Sequence, residues 1–325
     1  MSARGWLLFA VGASLGARAV ARARQCFDYT GKLVLISGGS RGLGLVLARE
    51  LAARGARLAL CARDRDELAR AAKELRGRCA EVHELVCDVS RRDDVQRTLR
   101  ELRERAGPVD MLINNAGVIQ VGPLDSQAID DFDEALKVHF WGALHLMEGV
   151  IPEMRARRTG RIVNISSIGG RIAIPHLVPY CASKFALVGL SDGLRAELAR
   201  DDVWVTTVCP GMMRTGSHVN AHFKERADRG WFSVVNSTPL ISISAERAAR
   251  AILAAARDGR AEAVFPYSAK LLVLARNLAP ETTARIANLA NRLLPRPGAL
   301  EATPPRVLTA LSDRAAHRNN ELSRA

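Results

Sequence analysis

The chain has 325 residues, 48% hydrophobic and 25% charged, enough to bury a full core and ordinary for a globular protein. Its formal charge of +13 and pI of about 10.2 admit nucleic acid, an anionic membrane surface or phosphorylated ligands as partners. Nucleic acid is the weakest of these: aromatics are only 5%, the arginines are scattered through helical segments, and no helix-turn-helix, zinc-finger or RNA-stacking motif is present. Most of the charge therefore reads as a solvated arginine-rich surface.

The N-terminus carries Arg4, an apolar stretch from Trp6 to Ala17, then Arg18, Arg22 and Arg24. About a dozen apolar residues falls short of the roughly 20 that span a bilayer, and the arginines directly behind them spoil a signal-peptide cleavage site. Two readings stay open for residues 1–28, a helix lying on a membrane surface and a plain N-terminal helix. The cysteines Cys26, Cys61, Cys79, Cys87, Cys181 and Cys209 form no C-x-x-C pair and have no metal-ligand spacing with histidine. They read as buried thiols in a reducing compartment, so the chain is expected in the cytoplasm, with the N-terminal segment as its candidate membrane contact.

From Lys32 the pattern alternates. Strands are expected at Lys32–Ser37, Arg57–Ala62, Val82–Cys87, Met111–Ile113, Arg161–Ile165, Val203–Val208 and Ala263–Phe265. Between them lie helices at Leu43–Arg54, Asp64–Arg76 with an acidic cap, Arg91–Arg105 with Ser90 as cap, Ile129–Val150 and Tyr180–Arg200. Strands alternating with helices of this length imply a parallel sheet covered on both faces, the doubly wound Rossmann fold, in one α/β domain over residues 29–268. Residues 269–298 carry Leu271, Leu272, Leu274, Ile286, Leu289, Leu293 and Leu294 at helical spacing, an amphipathic extension expected to pack on the core or a partner subunit, the alternative being a membrane surface shared with the N-terminal segment. Residues 299–325 read as a loosely ordered tail.

Ser37-Gly38-Gly39-Ser40-Arg41-Gly42-Leu43-Gly44 follows the first strand and opens the first helix, the context a dinucleotide-binding loop demands. Gly38 permits the tight turn, Gly42 lets backbone N–H groups approach a diphosphate, and Gly44 allows close helix packing. Tyr180 and Lys184 stand four apart, so on a helix they share a face. A free tyrosine titrates near 10, and an ammonium beside it is expected to lower that value and make Tyr180 a usable general acid/base. Ser167, arriving from the end of a neighbouring strand, is placed to hydrogen-bond a substrate oxygen as charge develops there.

The glycine spacing G-x-x-x-G-x-G, together with Asn114-Asn115-Ala116-Gly117, Ser167, Tyr180-Cys181-Ala182-Ser183-Lys184 and Pro210-Gly211-Met212-Met213-Arg214-Thr215, resembles the short-chain dehydrogenase/reductase family over roughly residues 30 to 265. The resemblance implies that Asp88 contacts the adenine and that Asn115, Ala116 and Gly117 approach the cofactor. It also implies that Lys184 binds the nicotinamide ribose, and that Pro210, Gly211 and Thr215 close over the nicotinamide. It implies a small-molecule carbonyl or alcohol substrate and a homo-oligomer. The segment holding Met212, Met213, Val219, Phe223, Trp231 and Phe232 would be the lid over a fairly apolar substrate. His218 and His222 there lack a third ligand, and no metal is expected.

Two features are particular to this chain. The second strand ends Leu60-Cys61-Ala62-Arg63, with Ala62 where an NAD enzyme would place an acid. Arg63 and the loop residue Arg41 offer guanidinium groups for a 2′-phosphate, so the expected cofactor is NADP. In Val138-His139-Phe140-Trp141-Gly142, His139 stands where the family has an asparagine that holds a relay water; a histidine can hydrogen-bond and shuttle protons, which makes it a fourth catalytic candidate. The leading expectation is an NADP(H)-dependent oxidoreductase. The alternative is a catalytically weakened NADP-binding regulatory protein on the same fold.

Overall fold

The computed structural model describes residues 26–78, 81–214, 221–224 and 242–294. Within them a seven-stranded parallel sheet is built from β1 (Leu33–Ser37), β2 (Arg57–Ala62), β3 (Val82–Val86), β4 (Met111–Asn114), β5 (Gly160–Ile165), β6 (Val203–Pro210) and β7 (Glu262–Phe265). The spatial order is β7-β6-β5-β4-β1-β2-β3, so chain direction across the sheet reverses between β1 and β4. That switch point is where such sheets open a crevice at the carboxyl ends of their strands.

The sheet sits inside because its strands are apolar on both faces; every residue of β1, β4 and β5 is buried. One face is covered by α1 (Gly42–Ala52), α2 (Arg65–Arg76) and a helix at Ala245–Arg257, which bring Leu47, Leu51, Leu68, Ile252 and Leu253 against Val34, Ile36 and Leu58. On the other face lie α3 (Arg92–Ala106), the helix Gly142–Ala156 and the helix Val178–Leu198, with Leu102, Leu146, Val150 and Leu187 against Leu33, Leu35 and Leu112. The surface arginines are largely paired, as in Arg49–Glu74 at 2.7 Å and Arg57–Glu81 at 2.5 Å. Cys61, Cys87, Cys181 and Cys209 are buried as expected, whereas Cys26 is exposed and Cys79 lies outside the described residues.

Four local expectations are corrected. Ser90 does not cap α3: its amide and hydroxyl both donate to Asp88 Oδ1, at 3.0 and 2.7 Å, and Arg91 takes the cap position with no side-chain bond. The long helix after residue 129 is three pieces, α4 (Ile129–Leu136), a π-helical turn (Lys137–Trp141) and α5 (Gly142–Ala156). The helix Val178–Leu198, here α6, starts two residues before Tyr180, with Pro179 in its first turn. After α7 (Ala245–Arg257), the C-terminal extension is two helices, α8 (Tyr267–Leu278) and α9 (Pro280–Leu293), divided where Pro280 cannot continue α8.

The apolar stripe of that extension does not pack on the core. Tyr267 is 84% exposed, Leu271 65%, Leu278 76% and Leu293 82%, and only Ala269 is buried. Among the described residues no helix is long and apolar enough to cross a membrane. Residues 1–25 and 295–325, which hold the N-terminal segment and the tail, lie outside the described residues.

Candidate active site

The carboxyl edge at the switch point is built first by the turn after β1. Gly38 and Gly39 donate their amides to Cys61 O at 2.7 and 3.3 Å, and Gly38 has φ +66°, which a side chain would strain. A Cβ on Gly44 would lie 2.0 Å from Gly38 O, so α1 meets its own loop with no room for a side chain. Arg41 sits extended in the cap position of α1 with no side-chain bond to the first turn, and that turn carries no acid. Free N–H groups and the positive end of the helix dipole then point at one spot, beside the buried Leu43. A dinucleotide diphosphate fits this cradle in shape and charge.

The loop is braced from β4. Asn115 Nδ2 donates to Ser37 O and Gly38 O at 3.1 and 3.0 Å, while the Asn115 and Ala116 amides donate to Ser37 Oγ. Asn115 therefore spends its side chain on the glycine turn. Asn114 Nδ2 donates to Asn164 Oδ1 at 2.7 Å and ties β4 to β5 inside the sheet. Asp88, just beyond β3, accepts from Ser90 and so orders its own loop at the same edge.

Ser167 stands two residues after β5, its Oγ accepting from Gly169 N at 3.0 Å, and Tyr180 and Lys184 rise one turn apart from α6. Lys184 is only 4% exposed; Nζ donates to Ile165 O at 2.9 Å and lies 5.7 Å from the Tyr180 ring centroid. Burial dominates both titrations. It lowers the Lys184 ammonium to about 7. It raises the Tyr180 hydroxyl to about 12, with the hydrogen bond from Ser167 acting in the opposite direction. The expected lowering of Tyr180 by its lysine is not found: burial raises the phenol and the opposing effect comes from Ser167, so at neutral pH the phenol carries its proton.

His139 lies in the π-helical turn, 1% exposed, its ring edge-on to Tyr180 at 5.5 Å and 88°. Val118 N–H donates to Nε2 at 3.1 Å, so the ring proton must sit on Nδ1, which then donates to Ser183 Oγ at 2.7 Å. Ser183 in turn donates to Tyr180 O at 2.8 Å. Both ring nitrogens are spent. Burial, with the Lys184 charge, holds the imidazole well below its usual range.

At the adenosine end, one residue escaped the sequence reading. Arg41 Nη1 donates to Glu67 Oε1 at 2.8 Å and Ser40 Oγ to Glu67 Oε2 at 3.3 Å. Glu67 lies three residues after Asp64, which caps α2 by accepting from Glu67 N at 2.9 Å. That D-x-x-E spacing reads as a capping box, yet the carboxylate turns to Ser40 and Arg41 instead. Arg63, exposed at the end of β2, makes no ion pair among the described residues.

Pro210 ends β6, and Gly211 N donates to Phe265 O at 2.7 Å. Met212–Arg214 pairs with Ser242–Ser244, and Gln120–Val121 with His222–Phe223. Val121, Leu177 and Cys181 form a cluster with Ile119, Ile174, Phe223 and Tyr180, an apolar wall on one side of the phenol. Thr215, His218, Val219, Trp231 and Phe232 lie outside the described residues.

Comparison with known proteins agrees with this arrangement. The short chain dehydrogenase family model matches residues 32–226. A "Dehydrogenase/reductase SDR family protein 7-like" of Anopheles gambiae is 36% identical over 267 residues, covering 79% of this chain and 82% of that one. Among solved structures, a short chain dehydrogenase/reductase from Burkholderia phymatum in complex with NAD superposes with a TM-score of 0.72 at 27% identity, covering 79% of this chain and 96% of that one. L-Sorbose reductase from Gluconobacter frateurii, complexed with NADPH and L-sorbose, gives 0.65 at 26%, covering 74% and 97%. One of these neighbours carries NAD and the other NADPH, so likeness leaves the choice of cofactor open. With the glycine cradle, the parallel sheet and the Ser167, Tyr180 and Lys184 grouping in one edge, the chain belongs to the short-chain dehydrogenase family of nucleotide-binding oxidoreductases acting on CH–OH and C=O groups.

Proposed function

We propose that this protein interconverts a ketone or aldehyde and an alcohol on a fairly apolar small molecule, using NADP(H), with Tyr180 as the general acid/base. The observation that carries the reading is a protonated phenol bonded to Ser167, near the buried Lys184, at the edge where Gly38 and Gly44 let the loop after β1 close tightly on α1.

When bound, the nicotinamide cofactor supplies or accepts the hydride. Gly38, Ser40, Gly42, Leu43 and Gly44 would hold its diphosphate side. Arg41 and Arg63 would face the 2′-phosphate, with Asp88 near the adenine. Ala116, Gly117, Pro210, Gly211 and Thr215 would border the nicotinamide half, and Lys184 its ribose. In the reductive direction Tyr180 gives its phenol proton to the substrate oxygen while Ser167 Oγ donates a hydrogen bond to the same atom. Ile119, Ile174, Leu177 and Phe223 exclude water from one side and select an apolar substituent. Lys184 exchanges its proton near neutral pH and returns one to Tyr180. His139, with neither ring nitrogen spare, holds α6 to the segment after β4 and so sets where Tyr180 stands; we assign it positioning and not proton relay.

The test is consumption of NADPH with a panel of apolar ketones and aldehydes by wild type and by Tyr180→Phe. Turnover should fall about 10²- to 10⁴-fold in the variant with nucleotide affinity kept. Nucleotide binding without oxidation of NADPH by any member of the panel would instead favour a regulatory NADP-binding protein.

The exposed stripe at Tyr267, Leu271, Leu274 and Leu278, at i, i+4, i+7 and i+11, favours one addition. A stripe this narrow is the seam of helix-to-helix packing, so we read it as the contact for a second copy. Lipid from an anionic surface is the competing occupant, given Lys270, Arg276, Arg285 and Arg292 on the same two helices.

A further inference from the structure

We infer that Glu67 is a specificity-determining residue: its carboxylate occupies Ser40 and Arg41 in place of an anion, and it weakens discrimination in favour of a 2′-phosphorylated nucleotide. This rests on the reading that Arg41 and Arg63 face the adenosine ribose.

The geometry supporting it is local and two-sided. Parallel pairing sets Ser37 beside Cys61, so the loop after β1 and the residues after β2 leave the sheet next to each other. Arg41 and Ser40 come from the first, Arg63 and α2 from the second. Asp64 caps α2 through the backbone amide of Glu67, which fixes the first turn of that helix and holds the Glu67 side chain under the loop. Each carboxylate oxygen takes one donor, Oε1 from Arg41 and Oε2 from Ser40. A bidentate acceptor already stands on one of the two guanidinium groups expected for the phosphate, Arg41, and on its neighbour Ser40.

The consequence for binding is electrostatic. Arg41 is 56% exposed, so the ion pair itself is weak and can be opened by an incoming anion. A carboxylate that stays beside the site still repels a dianionic phosphate, whereas a ribose 2′-hydroxyl carries no charge to repel and can donate to it. Glu67 therefore acts against NADP(H) and leaves NAD(H) nearly unaffected or slightly favoured. Arg63 alone then carries the unopposed attraction for the 2′-phosphate. The chain is expected to use both nucleotides with a modest preference, less than two free arginines would give.

Nucleotide dissociation constants decide this without any turnover, read from the fluorescence of bound NADPH and NADH at one low salt concentration. Glu67→Gln keeps the backbone amide that Asp64 caps and removes only the charge, so the fold is retained; a thermal melt of each variant checks it. NADPH should bind on the order of tenfold tighter to Glu67→Gln than to wild type, with NADH within about twofold, and the gain should shrink as salt rises. An unchanged NADPH affinity, an equal gain for both nucleotides, or a loss for NADPH would overturn the inference; the last would make Glu67 a brace that aims Arg41. Arg63→Ala separates the reading underneath. If it leaves the NADPH constant unchanged, these residues do not face the ribose and the NADP assignment falls, whereas a wild type that prefers NADH but still shifts in Glu67→Gln retains the inference and loses only the preference.

Discussion

Replacing Lys184 with methionine removes a charge that the fold holds against its preference. The folded lysine titrates near 7 against 10.5 for a free one. At about 1.4 kcal/mol per pH unit, that gap makes keeping the ammonium buried at pH 7 cost roughly 4 kcal/mol of folding stability. The sign follows from proton counting. Between pH 7 and 10.5 the unfolded chain binds a proton that the folded chain does not, so the lysine's penalty is full below pH 7 and fades as pH rises. Against this, Lys184→Met loses the bond to Ile165 O, about 1–2 kcal/mol. The variant should therefore be more stable than wild type by roughly 2–3 kcal/mol at pH 7, while losing activity. Urea unfolding followed by circular dichroism at pH 7, 8 and 9 reads both proteins. The difference between them is the quantity to use, because the thiols of Cys181 and Cys209, raised by burial to about 11 and 12, push the absolute stability the other way above pH 8.5. That difference should shrink by about 1.4 kcal/mol per pH unit. A variant less stable than wild type at pH 7, or a difference that does not change with pH, would refute a lysine held near neutrality.

Three further outcomes are expected. His139→Ala should cost about 2–5 kcal/mol by leaving a cavity and unpairing the Val118 amide and Ser183 hydroxyl, and it should lower kcat without moving the pH midpoints of the rate profile, since the imidazole does not titrate near neutrality; a lost limb between pH 6 and 8 would restore the relay. Gly44→Ala should abolish nucleotide binding and lower thermal stability, because its methyl would stand 2.0 Å from Gly38 O, a backbone atom that cannot turn away; calorimetry with NADPH reads the first and a melt the second. Paired Leu271→Gln and Leu278→Gln substitutions should halve the mass seen by light scattering if the stripe joins two copies, and should instead release the protein from anionic vesicles at unchanged mass if lipid covers it.

What could be read in advance follows from how each signal is encoded. A strand buried on both faces must be apolar throughout, so Leu33–Ser37 and Arg57–Ala62 announce themselves, and the i, i+4 spacing of Tyr180 and Lys184 places them on one face of whichever helix holds them. The break at Pro280 was missed although residue type alone encodes it, since proline cannot extend a helix. The π-helical turn at Lys137–Trp141 was not legible, because five residues are too few to show a change of period; within it His139 bonds Val118 and Ser183 on other segments. Ser90 has the chemistry of a cap but met Asp88 first, a competition between two short-range partners that spacing does not resolve.

By itself the sequence determined the parallel sheet, and it marked the glycine loop and Ser167, Tyr180 and Lys184 as candidates, because those signals lie in residue type and in spacing along the chain. Only the tertiary structure decided the electrostatics of the site. Burial set the Tyr180 hydroxyl above its ordinary value and Lys184 below, and it locked His139 neutral. It also brought Glu67 to Arg41 across 26 positions. Such terms depend on how much water is removed and which charge arrives from another element, and neither is written in a local stretch of chain.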